Sequence, residues 1–212
     1  VKAGTTRNRD EKSVWYLEHL SKSIETSVFE NLALTVDSRT PYTKGHSAEV
    51  ARLSVTLAKE LGLSGEDIES LRLASMLHDI GSLSISTRTL NKPGDLTEEE
   101  EKIVRLHPGL AEKLLSEYPQ IEKILHAILY HHERFDGNGY PNGLKGEEIP
   151  LHARILTIAE AFNAMVSPRP YKERFTVQQA IDELKAESGR QFDPKLVEVF
   201  IKFLNTQIST PK

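Results

Sequence analysis

The sequence predicts an all-α fold, a helical bundle with an amphipathic helix at its N-terminal end. Three observations carry this. Apolar residues recur every three or four positions through most of the chain, the period of an α-helix. No run alternates with period two beside a hairpin turn, and no internal repeat is present. Helix-capping residues stand where the periodic segments begin and end, as at Gly62, Ser64 and Thr97.

The 212 residues suffice for one compact domain with a sizeable core, or for a domain plus an appended helix. A formal net charge of −4 excludes a broad basic face for a nucleic-acid polymer. It leaves room for a small phosphorylated ligand, which needs only a local cluster of cations. There are no cysteines, so disulfides, thiolate metal sites and cysteine nucleophiles are absent. No apolar run approaches a membrane span and no signal-peptide pattern appears, which makes the cytoplasm the expected location.

Taken in order, residues 1–10 read as a polar lead-in. Residues 11–36 read as an amphipathic helix carrying Val14, Leu17, Leu20, Ile24, Val28, Leu32 and Val36. Residues 1–36 are therefore expected to form a lead-in and an amphipathic helix that either packs on its own domain or serves as a signalling or dimerising helix, with the main domain in 37–212. A second helix, 44–61, has the stripe His46, Val50, Leu53, Leu57, Leu61, which puts His46 in line with core residues. Gly62 suits a helix C′ position. Ser64 opens a third helix whose stripe of Ile68, Leu71 and Ala74 ends in His78. Asp79 follows, at the negative end of a helix dipole, a position that calls for a cation nearby. Residues 81–96 read as a loop. Thr97 caps a helix with four glutamates at its positive end, and His107-Pro108 begins another. The stripe Ile121, Ile124, Leu125, Ile128 leads to the adjacent pair His131-His132. A long loop with four glycines spans 133–149. Pro150 opens a helix through Met165 that carries Glu160 among apolar residues, and two helices near 177–187 and 194–204 close the chain.

Five of the eight histidines, His46, His78, His107, His131 and His132, thus fall at helix ends or on buried faces, together with Asp79 and Glu160. Each taken singly has an ordinary structural explanation. Burying so many imidazoles without a metal would require a separate hydrogen-bond partner for each. A donor set of imidazole and carboxylate without thiolate suits iron, manganese, nickel or zinc.

The ordered motifs resemble a known family. They are His46-Ser47, Leu77-His78-Asp79-Ile80-Gly81, Lys92-Pro93-Gly94, His107-Pro108, His131-His132-Glu133-Arg134, Asp136-Gly137, Gly139-Tyr140-Pro141, Gly143-Leu144, Arg169-Pro170-Tyr171 and Phe192-Asp193-Pro194. Over residues 37–204 the chain is similar to the HD-GYP domains of the HD phosphohydrolase superfamily, all-α helical bundles associated with hydrolysis of cyclic di-GMP. The resemblance implies that His46, His78, Asp79, His107, His131, His132 and Glu160 ligate two divalent metal ions, iron or manganese ahead of nickel or zinc, with Asp79 bridging and catalytic. It implies that Arg169 and Lys172 lie near the substrate phosphates. A hydroxide bridging the metals would attack the phosphodiester, giving the linear dinucleotide, GMP or both. The Gly139-Tyr140-Pro141 loop would form a wall of the site and a contact surface for a GGDEF-type protein. An upstream sensor or receiver domain and a homodimer formed through the N-terminal helix are further implied partners.

The sequence departs from that family at positions that touch the chemistry. Ser82 stands where the family carries lysine, and Glu160 and Asn163 where it carries aspartates; Ala111 stands where the family often carries glycine, a packing position only, and Tyr42 where some relatives place a carboxylate for a third metal. Two metals are therefore expected. The departures frame an alternative to the enzyme: a degenerate module that binds metal and a nucleotide or protein partner with little turnover.

Overall fold

A computed structural model describes residues 27–40, 43–118, 121–168 and 173–209. The helical expectation holds throughout these residues. Helix α1 occupies 27–37. It is followed by α2 (His46–Glu60), α3 (Gly65–Leu77), α4 (Thr87–Leu90), α5 (Glu98–Val104), α6 (His107–Leu115), α7 (Glu122–Leu129), α8 (Leu151–Val166), α9 (Val177–Ala186) and α10 (Pro194–Ser209). The expected helix over 11–26 lies outside the described residues.

Local chemistry sets the ends of these helices. At the C-terminus of α2, Gly62 takes a left-handed φ of 71°. The N–H of Leu63 then reaches the Ala58 carbonyl at 3.1 Å and that of Gly62 the Lys59 carbonyl at 3.0 Å, a Schellman closure. The N-terminus of α2 lacks a local side-chain cap, because Gly45 occupies the N-cap. Asp37, at the end of α1, supplies the missing acceptor. It is buried and takes the Ser47 N–H at 3.1 Å and the Ser47 hydroxyl at 2.6 Å. The expected Ser64 and Thr97 caps are present, Thr97 with a reciprocal capping box to Glu100.

The buried face of α1 differs from the expected stripe. Phe29, Ala33 and Val36 point inward, while Val28 is 51% exposed. The segment 81–96, expected as loop, contains the end of a 3₁₀ turn (Ile80–Ser84) and the one-turn helix α4. Too few residues lie in either for a helical period to show.

The side chains pack into two main apolar clusters. One joins α2, α8, α9 and α10 through Leu53, Leu57, Ile155, Ile158, Ile181 and Phe200. The other joins α1, α6 and α7 through Phe29, Leu115, Ile124 and Ile128. Helix α3 belongs to both, giving Leu71 to the first and Ala74 and Leu77 to the second. The C-terminus of α3 therefore emerges at the seam between the clusters, and His78-Asp79 begins there.

Candidate metal centre

The expected ligand residues sit at helix ends that converge on this seam. His46 is the first residue of α2, His78 the C-cap of α3, and Asp79 the residue before the 3₁₀ turn. His107 is the first residue of α6. His131 and His132 lie in the turn just past Tyr130, the C-cap of α7, rather than on the helix itself. Two compact donor groups result, His46 with His78 and Asp79, and His107 with His131 and His132. Within each group the ligating atoms lie within 4.8 Å of one another.

Asp79 stands between the groups. Its Oδ2 lies 3.4 Å from His78 Nε2 and 4.0 Å from His46 Nε2, and its Oδ1 lies 3.3 Å from His107 Nε2. Three imidazoles are aimed by the backbone. The Nδ1 atoms of His78, His107 and His131 meet the carbonyls of Ser75, Val104 and Ile128, each three residues earlier, at 2.8, 2.8 and 2.6 Å. A carbonyl can only accept, so each Nδ1 carries the proton and each Nε2 turns a lone pair inward. The fit to a metal follows. The Nε2 of His78 is buried without a hydrogen-bond partner, facing a carboxylate oxygen. The Nε2 atoms of His107 and His131 face each other at 3.3 Å. Lone pairs so arranged repel unless a cation lies among them, and the nitrogen and oxygen donors are those a divalent metal takes.

The protonation behaviour agrees for His107, His131 and His132. Burial alone would raise Asp79, but the imidazoles of His78, His107 and His46 hold it well below the usual carboxylate range. Burial pushes His132 down to about 4 and His131 well below its ordinary value, keeping both neutral as ligands must be. His107 is also lowered by burial. For His78 burial is outweighed by Asp79 and Glu160, and its value is raised.

Glu160, on α8, does not belong to either compact donor group. It does line three clefts at the centre, of about 240, 250 and 310 Å³. Burial raises its carboxyl. Arg169, Lys172 and Tyr42 lie outside the described residues.

Several contacts had no clear sequence signal. Tyr140 stacks on His132 with centroids 4.9 Å apart and planes 23° apart, and Arg105 lies over the Tyr140 ring at 5.1 Å. The Gly-Tyr-Pro loop therefore touches a candidate ligand directly. The loop is held from beneath by buried Glu133, which accepts the Asn142 and Leu144 N–H groups at 2.7 and 3.1 Å. Gly139 is obligatory, since a Cβ there would sit 2.3 Å from the Arg134 nitrogen. Arg134 ties the loop to the turn after α9 through Asp136 and Glu187, each at 3.1 Å. His46 is oriented differently from its neighbours. Its Nδ1 accepts from the Asn163 amide at 2.8 Å, and Asn163 Oδ1 accepts the Ser167 hydroxyl at 2.9 Å.

Fold and site define a helical metal-binding domain whose imidazole and carboxylate donors meet below open clefts. The sequence profile of the HD domain family matches residues 30–196. The cyclic di-GMP phosphodiesterase response regulator RpfG of Xanthomonas campestris is 38% identical over 182 residues, covering 84% of this chain and 48% of that protein. A cyclic di-GMP phosphodiesterase of Thermotoga maritima is 40% identical over 177 residues, covering 82% and 48%. The solved structure of a cyclic GMP-AMP-specific phosphodiesterase of Vibrio cholerae, V-cGAP3, superimposes with a TM-score of 0.65 at 21% identity, covering 84% of this chain and 48% of that one. The chain belongs to the HD domain family, in the HD-GYP group that its motifs predict. It spans about half the length of these relatives.

Proposed function

We propose that this chain is the catalytic domain of a metal-dependent cyclic di-GMP phosphodiesterase. The observation that carries the proposal is Asp79, set between two imidazole donor groups at the base of open clefts. Relatives named as cyclic di-GMP phosphodiesterases support the substrate. His46, His78, Asp79, His107, His131, His132 and Glu160 would hold two divalent metals, iron or manganese ahead of nickel or zinc. Such metals, when bound, supply Lewis-acid neutralisation of the phosphoryl charge and lower the pKa of water. The chain's own residues do the rest. Backbone carbonyls fix the tautomers of His78, His107 and His131, burial favours the neutral form of His107, His131 and His132, and Asp79 spaces the two donor groups. Arg169 and Lys172 would hold the phosphates, and the product would be the linear dinucleotide, GMP or both. The reading places the protein in the cytoplasm, beside an upstream sensor or receiver domain. Tyr140 is half-buried against His132, so a GGDEF-type partner on the Gly139-Tyr140-Pro141 loop would be felt at the centre.

A second reading rests on one observation. The Asn163 amide feeds a proton toward His46 Nδ1, a contact that opposes ligation through Nε2. A chain so arranged would bind metal and nucleotide with little turnover. Elemental analysis of protein purified without added metal, then an anaerobic assay on cyclic di-GMP, separates the two. The phosphodiesterase reading expects about two metals per chain and linear dinucleotide or GMP. Full metal loading with no hydrolysis under iron, manganese or nickel would leave the binding module. Replacing His78 and Asp79 by alanine should abolish both metal and activity, and unchanged metal content would refute the site.

A further inference from the structure

The cleft of about 240 Å³ runs from the α1–α2 connection down to Asp79, His107, His132 and Glu160. A phosphodiester entering it is an anion approaching the half-buried carboxylates of Asp79 and Glu160, and a fixed cation at the wall would favour its entry. Arg39 is the one lysine or arginine among the described residues lining that cleft. One terminal nitrogen of its guanidinium donates to the Ser82 carbonyl and the other to the Ile85 carbonyl at 2.6 Å. Its own carbonyl accepts from Asn91 Nδ2 at 3.0 Å, so the residue is held at both backbone and head.

The charge of Arg39 contrasts with that of several other arginines among the described residues. Arg52, Arg72, Arg105, Arg134 and Arg154 each lie against a carboxylate. Arg39 has only neutral carbonyl partners among the described residues. A guanidinium carries five N–H donors, and two carbonyls leave several of them unused. Ser82, beside it, offers only a neutral hydroxyl. We infer that Arg39 is a phosphate-binding residue, presenting its remaining N–H groups and positive charge to a phosphate oxygen of the cyclic dinucleotide beside the candidate metal centre. The inference rests on the phosphodiester reading above. The competing account makes Arg39 only a strap between the α1–α2 connection and residues 82–85.

The test compares the metal-loaded chain with Arg39→Gln and Arg39→Lys. For each, KM and kcat on cyclic di-GMP, inhibition by inorganic phosphate, metal content and Tm are measured. In Arg39→Gln, KM and the phosphate inhibition constant should both rise about tenfold, equivalent to about 1.4 kcal/mol. Their dependence on salt should become shallower, while metal content and Tm stay at the parent values. Arg39→Lys should recover most of the loss, because it keeps the charge without the paired carbonyl geometry. Unchanged KM and phosphate inhibition in Arg39→Gln would overturn the inference. So would a fall in Tm or metal content shared equally by both variants, the result expected of a strap. If the parent chain does not turn over, calorimetric binding of cyclic di-GMP to the same three proteins makes the comparison. The phosphodiesterase reading can then fail while Arg39 stands, and normal turnover with unaltered Arg39→Gln binding sinks Arg39 alone.

Discussion

Asn163 decides which nitrogen of His46 carries the proton. The other oriented imidazoles give their Nδ1 proton to a carbonyl, whereas His46 Nδ1 receives one from an amide. A neutral His46 then holds its proton on Nε2, the atom that faces Asp79. Replacing the amide by a carboxylate reverses the contact, because aspartate can only accept. Asn163→Asp should therefore tighten metal binding, by about tenfold on the scale of other outer-sphere partners, read by competition with a metallochromic chelator. Unaltered affinity would show that the amide already turns its oxygen to the ring. His132 supplies a pH prediction. Its folded value is about 4, against 6.5 for the free side chain. Below 6.5 the unfolded metal-free chain takes up a proton that the folded chain refuses, so this group's contribution to stability is lost as pH falls from 6.5 toward 4. Urea unfolding of metal-free protein across that window should show less acid destabilisation in His132→Gln than in the parent. An identical decline in both would remove His132 as the cause.

At the scale of elements, the short turn after α3 positions α6. Gly81 packs so closely that a Cβ there would lie 1.9 Å from the His107 carbonyl oxygen and 2.6 Å from the Ala111 nitrogen. These are backbone atoms, so the clash cannot be relieved by a rotamer change. Ala111, fully buried at this contact, is a packing position as expected. Gly81→Ala should cost about 3 kcal/mol or more and should also reduce metal content, because α6 begins with the candidate ligand His107. Gly109→Ala is the matched control. A Cβ there meets nothing within 4 Å, and in this first helical turn the change should be neutral or stabilising by at most about 0.5–1 kcal/mol. Thermal unfolding with metal analysis of both variants checks this, and equal behaviour of the pair would contradict the close approach.

At the scale of the whole molecule, the candidate centre lies where two apolar clusters meet. His46 and Glu160 come from helices of one cluster, and His107, His131 and His132 from elements of the other. A metal held there binds only the folded state and ties the two halves together. At a free metal concentration a hundredfold above Kd it would add about 2.7 kcal/mol, or roughly 5–10 °C in Tm for a chain of this size. Chelation should lower Tm by that amount in the parent and leave His78→Ala unmoved. No chelator effect on the parent would mean that these residues hold no metal in solution. Among the described residues no helix is long and apolar enough to cross a membrane, in keeping with the sequence.

The sequence by itself determined the elements and the donor set. Helical periodicity is local, and so are the caps at Ser64, Thr97 and Gly62, which is why α2, α3, α5 and α8 fall near their expected bounds. The seven candidate ligands were legible because histidines at helix ends stand out against apolar stripes, and five of the histidines with Asp79 do converge. What the tertiary structure decided concerns residues with no local pattern. Short elements such as α4 hold too few residues to show a period. Asp37 caps a helix ten residues away, Asn163 reaches His46 across 117 positions, Arg39 reaches Ser82 across 43, and Tyr140 stacks on the candidate ligand His132 only because Glu133 and Gly139 fold the loop back. A side chain's type can be read from the chain, but which nitrogen it protonates or which charge it leaves unneutralised depends on neighbours that only folding brings near. The candidate ligands were written in the sequence; their tautomers, their spacing around Asp79 and the cation beside them were set by the packing of helices from two cores.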